Sequence, residues 1–222
     1  MSFGWRALTV MFLAAFAVAL QGQSGPVVQM DYSNPGLTPP HWTLTLYPDG
    51  RGHFRSERSH ASAEALDLPK PEALEQDREI RLSAQFAARF FQAARRHQWF
   101  GEECESHLKV AFQGQKRLSY TGPEGQGACV FNYSSDKEIQ ALGDSLVSVA
   151  ATILEGARLE KLLLHDRLGL DSEMEFVTEA AHDGQLQQIG AIRGILERLA
   201  EDPNVMERVR KRARVLLARP EE

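Results

Sequence analysis

Trp42-Thr43-Leu44-Thr45-Leu46-Tyr47-Pro48-Asp49-Gly50 alternates large apolar residues with threonine and tyrosine, then stops at a turn. Period two with β-formers on both faces predicts a strand. Proline presets the first turn position, aspartate tolerates the next and glycine accepts positive φ. The chain then returns through His53, Phe54 and Arg55, so residues 42–57 read as a β-hairpin.

Working outward, residues 26–41 hold Asn34-Pro35-Gly36 and Pro39-Pro40 and read as an extended, turn-rich linker. Residues 58–80 are polar, with Pro69 and Pro71, and read as a loop. Ser83 is the expected N-cap of a helix carrying Phe86, Phe90, Ala93 and Ala94 to about Gln98, with Gly101 as its left-handed terminator. The layout then repeats. Leu108, Val110 and Phe112 alternate with polar neighbours, Gln113-Gly114-Gln115-Lys116 is the expected turn, and Leu118 and Tyr120 return. Gly122–Gly127 reads as a flexible loop and Cys129, Phe131 and Tyr133 as a further short strand. Ser135-x-x-Glu138 is a capping box opening a helix whose apolar face runs Ile139, Leu142, Leu146, Val149 and Ile153. Hairpin, helix, hairpin, helix predicts an α+β fold: an antiparallel sheet from two β-hairpins with helices packed on one face.

From Glu155 onward no strand signal survives. Leu159, Leu162 and Leu163 extend or restart the helix before Gly169 breaks it. Ser172-x-x-Glu175 is a second capping box, and Gly184 closes that piece. Ile189, Ile192, Leu196 and Leu199 mark another apolar face. Asp202-Pro203 reads as an N-cap followed by proline at the first helical position. The expected division is 1–25, 26–41 as linker, 42–155 as the α+β domain and 156–222 as a C-terminal helical region.

The 222 residues carry 25 basic and 30 acidic side chains, a net charge of −5. That balance argues against non-specific nucleic-acid binding, which needs a basic footprint. Residues 1–25 hold Arg6, an apolar run from Ala7 to Leu20 and then small and polar residues. This is the pattern of a secretory signal peptide, and the run is shorter than a bilayer span. The expectation is an exported protein, periplasmic or extracellular, that is not an integral membrane protein after signal cleavage. In an oxidising compartment the two cysteines, Cys104 and Cys129, are expected to pair.

The sequence contains no HExxH, GxSxG, P-loop, GxGxxG, SxxK or EF-hand pattern, and no cofactor is expected. Two polar clusters stand out. Around Cys104, Glu103 and His107 offer carboxylate and imidazole, the chemistry of a metal or acid–base site. Residues so close in an extended stretch alternate sides and do not all converge. His165 and Asp166 offer an imidazole beside a carboxylate, with a helix end as the competing reading. Arg208, Arg210, Lys211, Arg212 and Arg214 make the last helix basic. They suit either an anionic partner or a solvated face complementing the helix dipole, and the latter is favoured. Trp42 and Trp99 read as core, and Asn132-Tyr133-Ser134 fits an N-glycosylation triplet.

The stretch from Trp42 to about Ile153, with Trp42–Gly50, a helix ending at Trp99-Phe100 and a second hairpin flanked by cysteines, resembles secreted bacterial domains of unassigned activity. The resemblance implies an exported bacterial protein and transfers no functional residues. Lack of catalytic motifs favours a non-catalytic module that holds another protein or an envelope component, with an apolar patch expected on one sheet face. The alternatives are a hydrolase or metal-dependent enzyme built on Cys104/His107 or His165/Asp166, and a secreted inhibitor presenting a rigid loop near residues 122–128.

Overall fold

The computed structural model describes residues 25–57 and 75–220. The export-signal reading of residues 1–25 and most of the 58–80 loop therefore lie outside the described residues. Six antiparallel strands form one sheet: β1 (Val27–Ser33), β2 (His41–Leu46), β3 (Arg51–Ser56), β4 (Gln76–Arg81), β5 (Gln115–Gly122) and β6 (Gly125–Phe131). Their spatial order is β4-β3-β2-β1-β5-β6. The α+β architecture with C-terminal helices is present, and its first hairpin joins Leu44 to Phe54 and Leu46 to Gly52 as the sequence predicts.

β1 corrects the linker reading of residues 26–41. Val28, Met30 and Tyr32 point inward while Gln29 and Asp31 point outward, and the strand lies between β2 and β5. The prolines that discouraged regular structure are confined to the β1–β2 connection. β4 was likewise hidden inside a polar stretch. Gln76-Asp77-Arg78-Glu79-Ile80-Arg81 is a charged edge strand, the composition that keeps an exposed sheet edge from pairing with other chains.

The second hairpin is displaced along the chain. β5 starts at Gln115, and the tight turn is Gly122-Pro123-Glu124-Gly125, so the segment expected to be a flexible loop is hairpin. Residues 103–114, which contain the expected strand at Leu108–Phe112, have no regular structure. A close packing contact accompanies the displaced hairpin. A Cβ on Gly125 would lie 2.4 Å from the Trp99 ring and one on Gly127 2.6 Å from the Trp99 carbonyl oxygen. These glycines let the turn after the first helix sit against β6, and Trp99 stacks on Tyr120 with ring centroids 4.8 Å apart.

Helix α1 (Ala84–Arg96) is capped by Ser83, whose hydroxyl accepts from the Phe86 amide, and buries Phe86, Ala87, Phe90 and Phe91. Such a cap contributes about 1 kcal/mol. The left-handed residues that follow are Gln98, Trp99 and Phe100, with φ of 49°, 63° and 63°, whereas Gly101 has φ −84°. Left-handed conformation costs roughly 1–2 kcal/mol per non-glycine residue. Burial of Phe100 and the Trp99–Tyr120 stack offset it.

Helix α2 (Lys137–His165) is 29 residues long, about 43 Å at 1.5 Å per residue. Its cap is Asp136, one residue beyond the expected Ser135, with its carboxylate accepting from the Glu138 and Ile139 amides. Its first half, from Ile139 to Ile153, closes the sheet core with α1. Its second half, through Leu159 and Leu163, enters a second core with α3 (Leu170–His182), α4 (Arg193–Glu201) and α5 (Glu207–Leu217). The expected boundary at 155/156 thus falls within an unbroken helix. Two further caps differ from expectation. Ser172 lies inside α3 and bonds back to the Gly169 carbonyl, and Asp202 ends α4 rather than starting α5.

Both α1 and α2 cover the same sheet face. The other face carries rows such as Asp77–Arg55–Thr43–Asp31–Arg117, read across the strands by register. It is mostly polar, so among the described residues this face does not carry the expected apolar patch.

Candidate functional site

Among the described residues Leu37, Val130, Leu164, Leu168, Phe176 and Val215 are exposed at separate places in the chain, and three further large apolar residues lie close together on the segment expected to be a strand. Leu108 is 60% exposed, Val110 38% and Phe112 59%. Alternation predicted the strand, but no neighbouring strand pairs with this stretch, so the alternating side chains have no core to enter.

The segment is a loop closed at its start by Tyr133 and at its end by Asn132, two consecutive residues. At its start, the Ser106 amide donates to the Tyr133 carbonyl at 2.9 Å. At its end, the Asn132 side-chain oxygen accepts from the Gln113 amide at 2.6 Å and its nitrogen donates to the Ala111 carbonyl at 3.2 Å. Glu105 locks the base: its carboxylate accepts from the Asn132 amide at 2.7 Å and the Ser106 amide at 2.9 Å. These amides, that of Asn132 first, hold the Glu105 carboxyl below the usual carboxylate range despite partial burial. At the tip the Val110 amide bonds the Leu108 carbonyl at 2.9 Å, a three-residue turn around Lys109. Loops with pinned ends that are packed by their own contacts are frequent binding elements.

Cys104 and Cys129 stand at disulfide distance, with Cα atoms 5.6 Å apart, just before the loop base. On the chain-entropy account a link closing that span contributes about 3 kcal/mol. Next to it, Lys116 is 2% exposed, donating to the Asn132 carbonyl at 3.0 Å and lying 5.6 Å from the centroid of the Phe131 ring. Burial lowers its pKa, while the Asp144 and Glu105 charges act the other way. Asn132 therefore receives contacts through backbone and side chain together. Its side-chain oxygen and nitrogen both bond to the loop end.

The other sequence-flagged groups do not assemble a site. His107 pairs with Glu103 at 2.6 Å, both largely exposed, and no third group joins them. Asp166 accepts from the Gly169 amide at 3.2 Å at the end of α2, beside His165, which is the helix-end geometry. Among the described residues no three His, Cys, Asp or Glu side chains are grouped to hold a metal ion. On α5, Arg208 and Arg212 both reach Asp171 at 2.7 Å, Arg212 also reaches Glu175 at 3.3 Å, and Arg210 and Arg214 pair with Glu207. Only Lys211 of the five has no carboxylate partner among the described residues. The basic stripe is largely neutralised, as a solvated face would be. The 122–128 segment is a tight hairpin turn, exposed at Pro123 and Glu124, that runs into β6.

Sequence reasoning missed two titratable clusters. His97, 13% exposed, is held between Glu102 at 2.6 Å and Glu138 at 3.0 Å, with Arg96 also on Glu138. Glu155 and Glu173 face one another between α2 and α3, and each has a buried oxygen without a partner. Burial, with a hydrogen bond and the charge of Glu173, pushes Glu155 up to about 8 against the pull of Arg158. Glu138 and Glu173 each join their set from another element, so no local pattern marks either one. Neither includes a nucleophile, and both read as packing devices.

No known protein family matches the chain, and no curated protein matches it. The site rests on its own geometry.

Proposed function

We propose that this protein is an exported, non-catalytic module that binds another protein through the Ser106–Gln113 loop. The observation that carries the reading is the exposure of Leu108, Val110 and Phe112 on a loop whose ends are both fixed to Asn132 and Tyr133. Three large apolar side chains held outward cost hydration free energy, which partner burial returns at roughly 25 cal/mol per Å². Pinning the loop beforehand lowers the entropy lost on binding. The cysteine pair supports export, since such links persist in oxidising compartments. Among the described residues no helix is long and apolar enough to cross a membrane.

A second reading, an inhibitor that inserts this loop into an enzyme cleft, draws on the same convex geometry. It moves the presented loop from the expected 122–128 to 106–113.

The test uses the immobilised mature chain and a variant carrying Leu108→Asp and Phe112→Asp, incubated with envelope extract. A stoichiometric partner retained by the wild type and lost by the variant supports the module. Retention by both, or turnover on a hydrolase substrate panel, overturns it. If the retained partner is an enzyme whose activity falls, the inhibitor reading is selected.

A further inference from the structure

A second concave surface lies far along the chain from this loop. A cavity of about 440 Å³ opens where α1, α2, the Ile189–Ile192 turn, α4 and α5 meet. Phe86, Leu196 and Leu216, all buried, form its apolar floor. Arg89, Arg193 and Arg219 stand around it, and no aspartate or glutamate among the described residues lines it. In a chain with net charge −5, that local sign is inverted.

Two of the three arginines are available. Arg89 lies 5.7 Å over the Phe86 ring and has no ion-pair partner among the described residues, and neither has Arg219. Arg193 reaches Glu197 at 2.9 Å on an exposed helix face. Ser145 adds a separate signal. It lines the same cavity and is 7% exposed, so its side chain stands at the cavity wall. A hydroxyl at a cavity wall can donate a hydrogen bond to a polar group that enters.

We propose that this cavity binds a single-chain amphipathic carboxylate of the fatty-acid class. The apolar floor takes the chain, the guanidinium groups take the carboxylate and the Ser145 hydroxyl supplies a directed hydrogen bond. Guanidinium and carboxylate match in a planar, two-bond geometry. The volume lies within the range of roughly 300–1,000 Å³ typical of small-ligand pockets. That size favours a small molecule over an acidic peptide, which would meet the arginines but leave the floor unfilled.

The experiment is calorimetric titration of the mature chain with dodecanoate below its micelle concentration, beside dodecanol, acetate and a glutamate-rich peptide. Dodecanoate is expected to bind at one per chain, with dodecanol and acetate each at least about tenfold weaker. Arg89→Ala with Arg219→Ala is expected to weaken dodecanoate about tenfold, and 0.5 M salt to weaken it further. Both arginines are exposed, and an unchanged melting temperature verifies that the variant folds. Leu108→Asp with Phe112→Asp should bind dodecanoate as the wild type does, which keeps this result separate from the loop's partner binding. Equal binding of dodecanol, undiminished binding by the arginine variant, or binding of the peptide alone overturns the proposal.

Discussion

Asn132 accepts a hydrogen bond from the Gln113 amide at 2.6 Å, so the residue that follows β6 closes a loop that precedes β5. The two residues are 19 apart in sequence, and a side chain does what a backbone ladder would otherwise do. Replacing it with Asn132→Ala removes the Gln113 and Ala111 contacts together. Local opening of residues 106–113 should become easier by about 1–2 kcal/mol while the global melting temperature changes little. Hydrogen exchange of the Gln113 amide measures this, and unchanged protection would show that the loop is held by something else.

Gly127→Ala places a Cβ 2.6 Å from the Trp99 carbonyl and 2.9 Å from the Gly101 amide nitrogen, both backbone atoms that cannot rotate away. The expected cost is about 1–3 kcal/mol, with altered Trp99 fluorescence as its stack on Tyr120 is disturbed. Gly194→Ala is the control. Nothing lies within 4 Å of its Cβ position inside α4, so it should stabilise by about 0.5–1 kcal/mol. Urea denaturation of the two variants reads both signs.

His97 is held above its ordinary value. Burial works against its charged form, and the hydrogen bonds that its ring donates to Glu138 and Glu102, with the Asp136 charge, more than compensate. The folded state therefore keeps a proton that the unfolded chain releases. The stabilisation is complete below pH 6.5, the unfolded value, and is lost as pH rises through the folded-state value. Thermal melts between pH 5.5 and about pH 8.5 should show the decline. His97→Gln should flatten that part of the curve, and an identical slope in the variant would refute the assignment.

Glu155 gives a slope of the same sign for a different reason. Its carboxyl is raised from 4.5 to about 8 by burial first and then by Glu173. Stability from this acid is complete below about pH 4.5 and falls as pH rises through 8, where a second negative charge must enter the α2–α3 interface. Glu155→Gln keeps a neutral polar group there and should raise stability most at pH 8 and above. A variant less stable than the wild type at pH 9 would mean that the carboxylate is paired rather than strained.

Much of the α+β layer was readable locally. Trp42–Gly50 specified its hairpin, Ser83 its helix start, and Ile139 to Ile153 the helical face that closes the core. These signals survive because each is set by neighbours within a turn of the chain: a period, a capping hydroxyl, a proline before aspartate and glycine. β1 and β4 were obscured because prolines flank the first and charges coat the second. A central strand position and an edge position are properties of the assembled sheet.

The candidate loop shows the same division. Leu108, Val110 and Phe112 are visible in the sequence as an alternating trio, and alternation alone favours a strand. Whether such a stretch joins a sheet depends on an adjacent strand edge. β6 instead ends at Phe131, and Asn132, Tyr133 and Glu105 take the loop's polar groups. The sequence by itself determined the fold class and the cysteine pair, because local periodicity and two thiols leave few choices. Only the tertiary structure decided which apolar residues stay outside and which arginines gather at one cavity. Burial and convergence are set by contacts between segments dozens of residues apart, and the free energy of those contacts has no local signature.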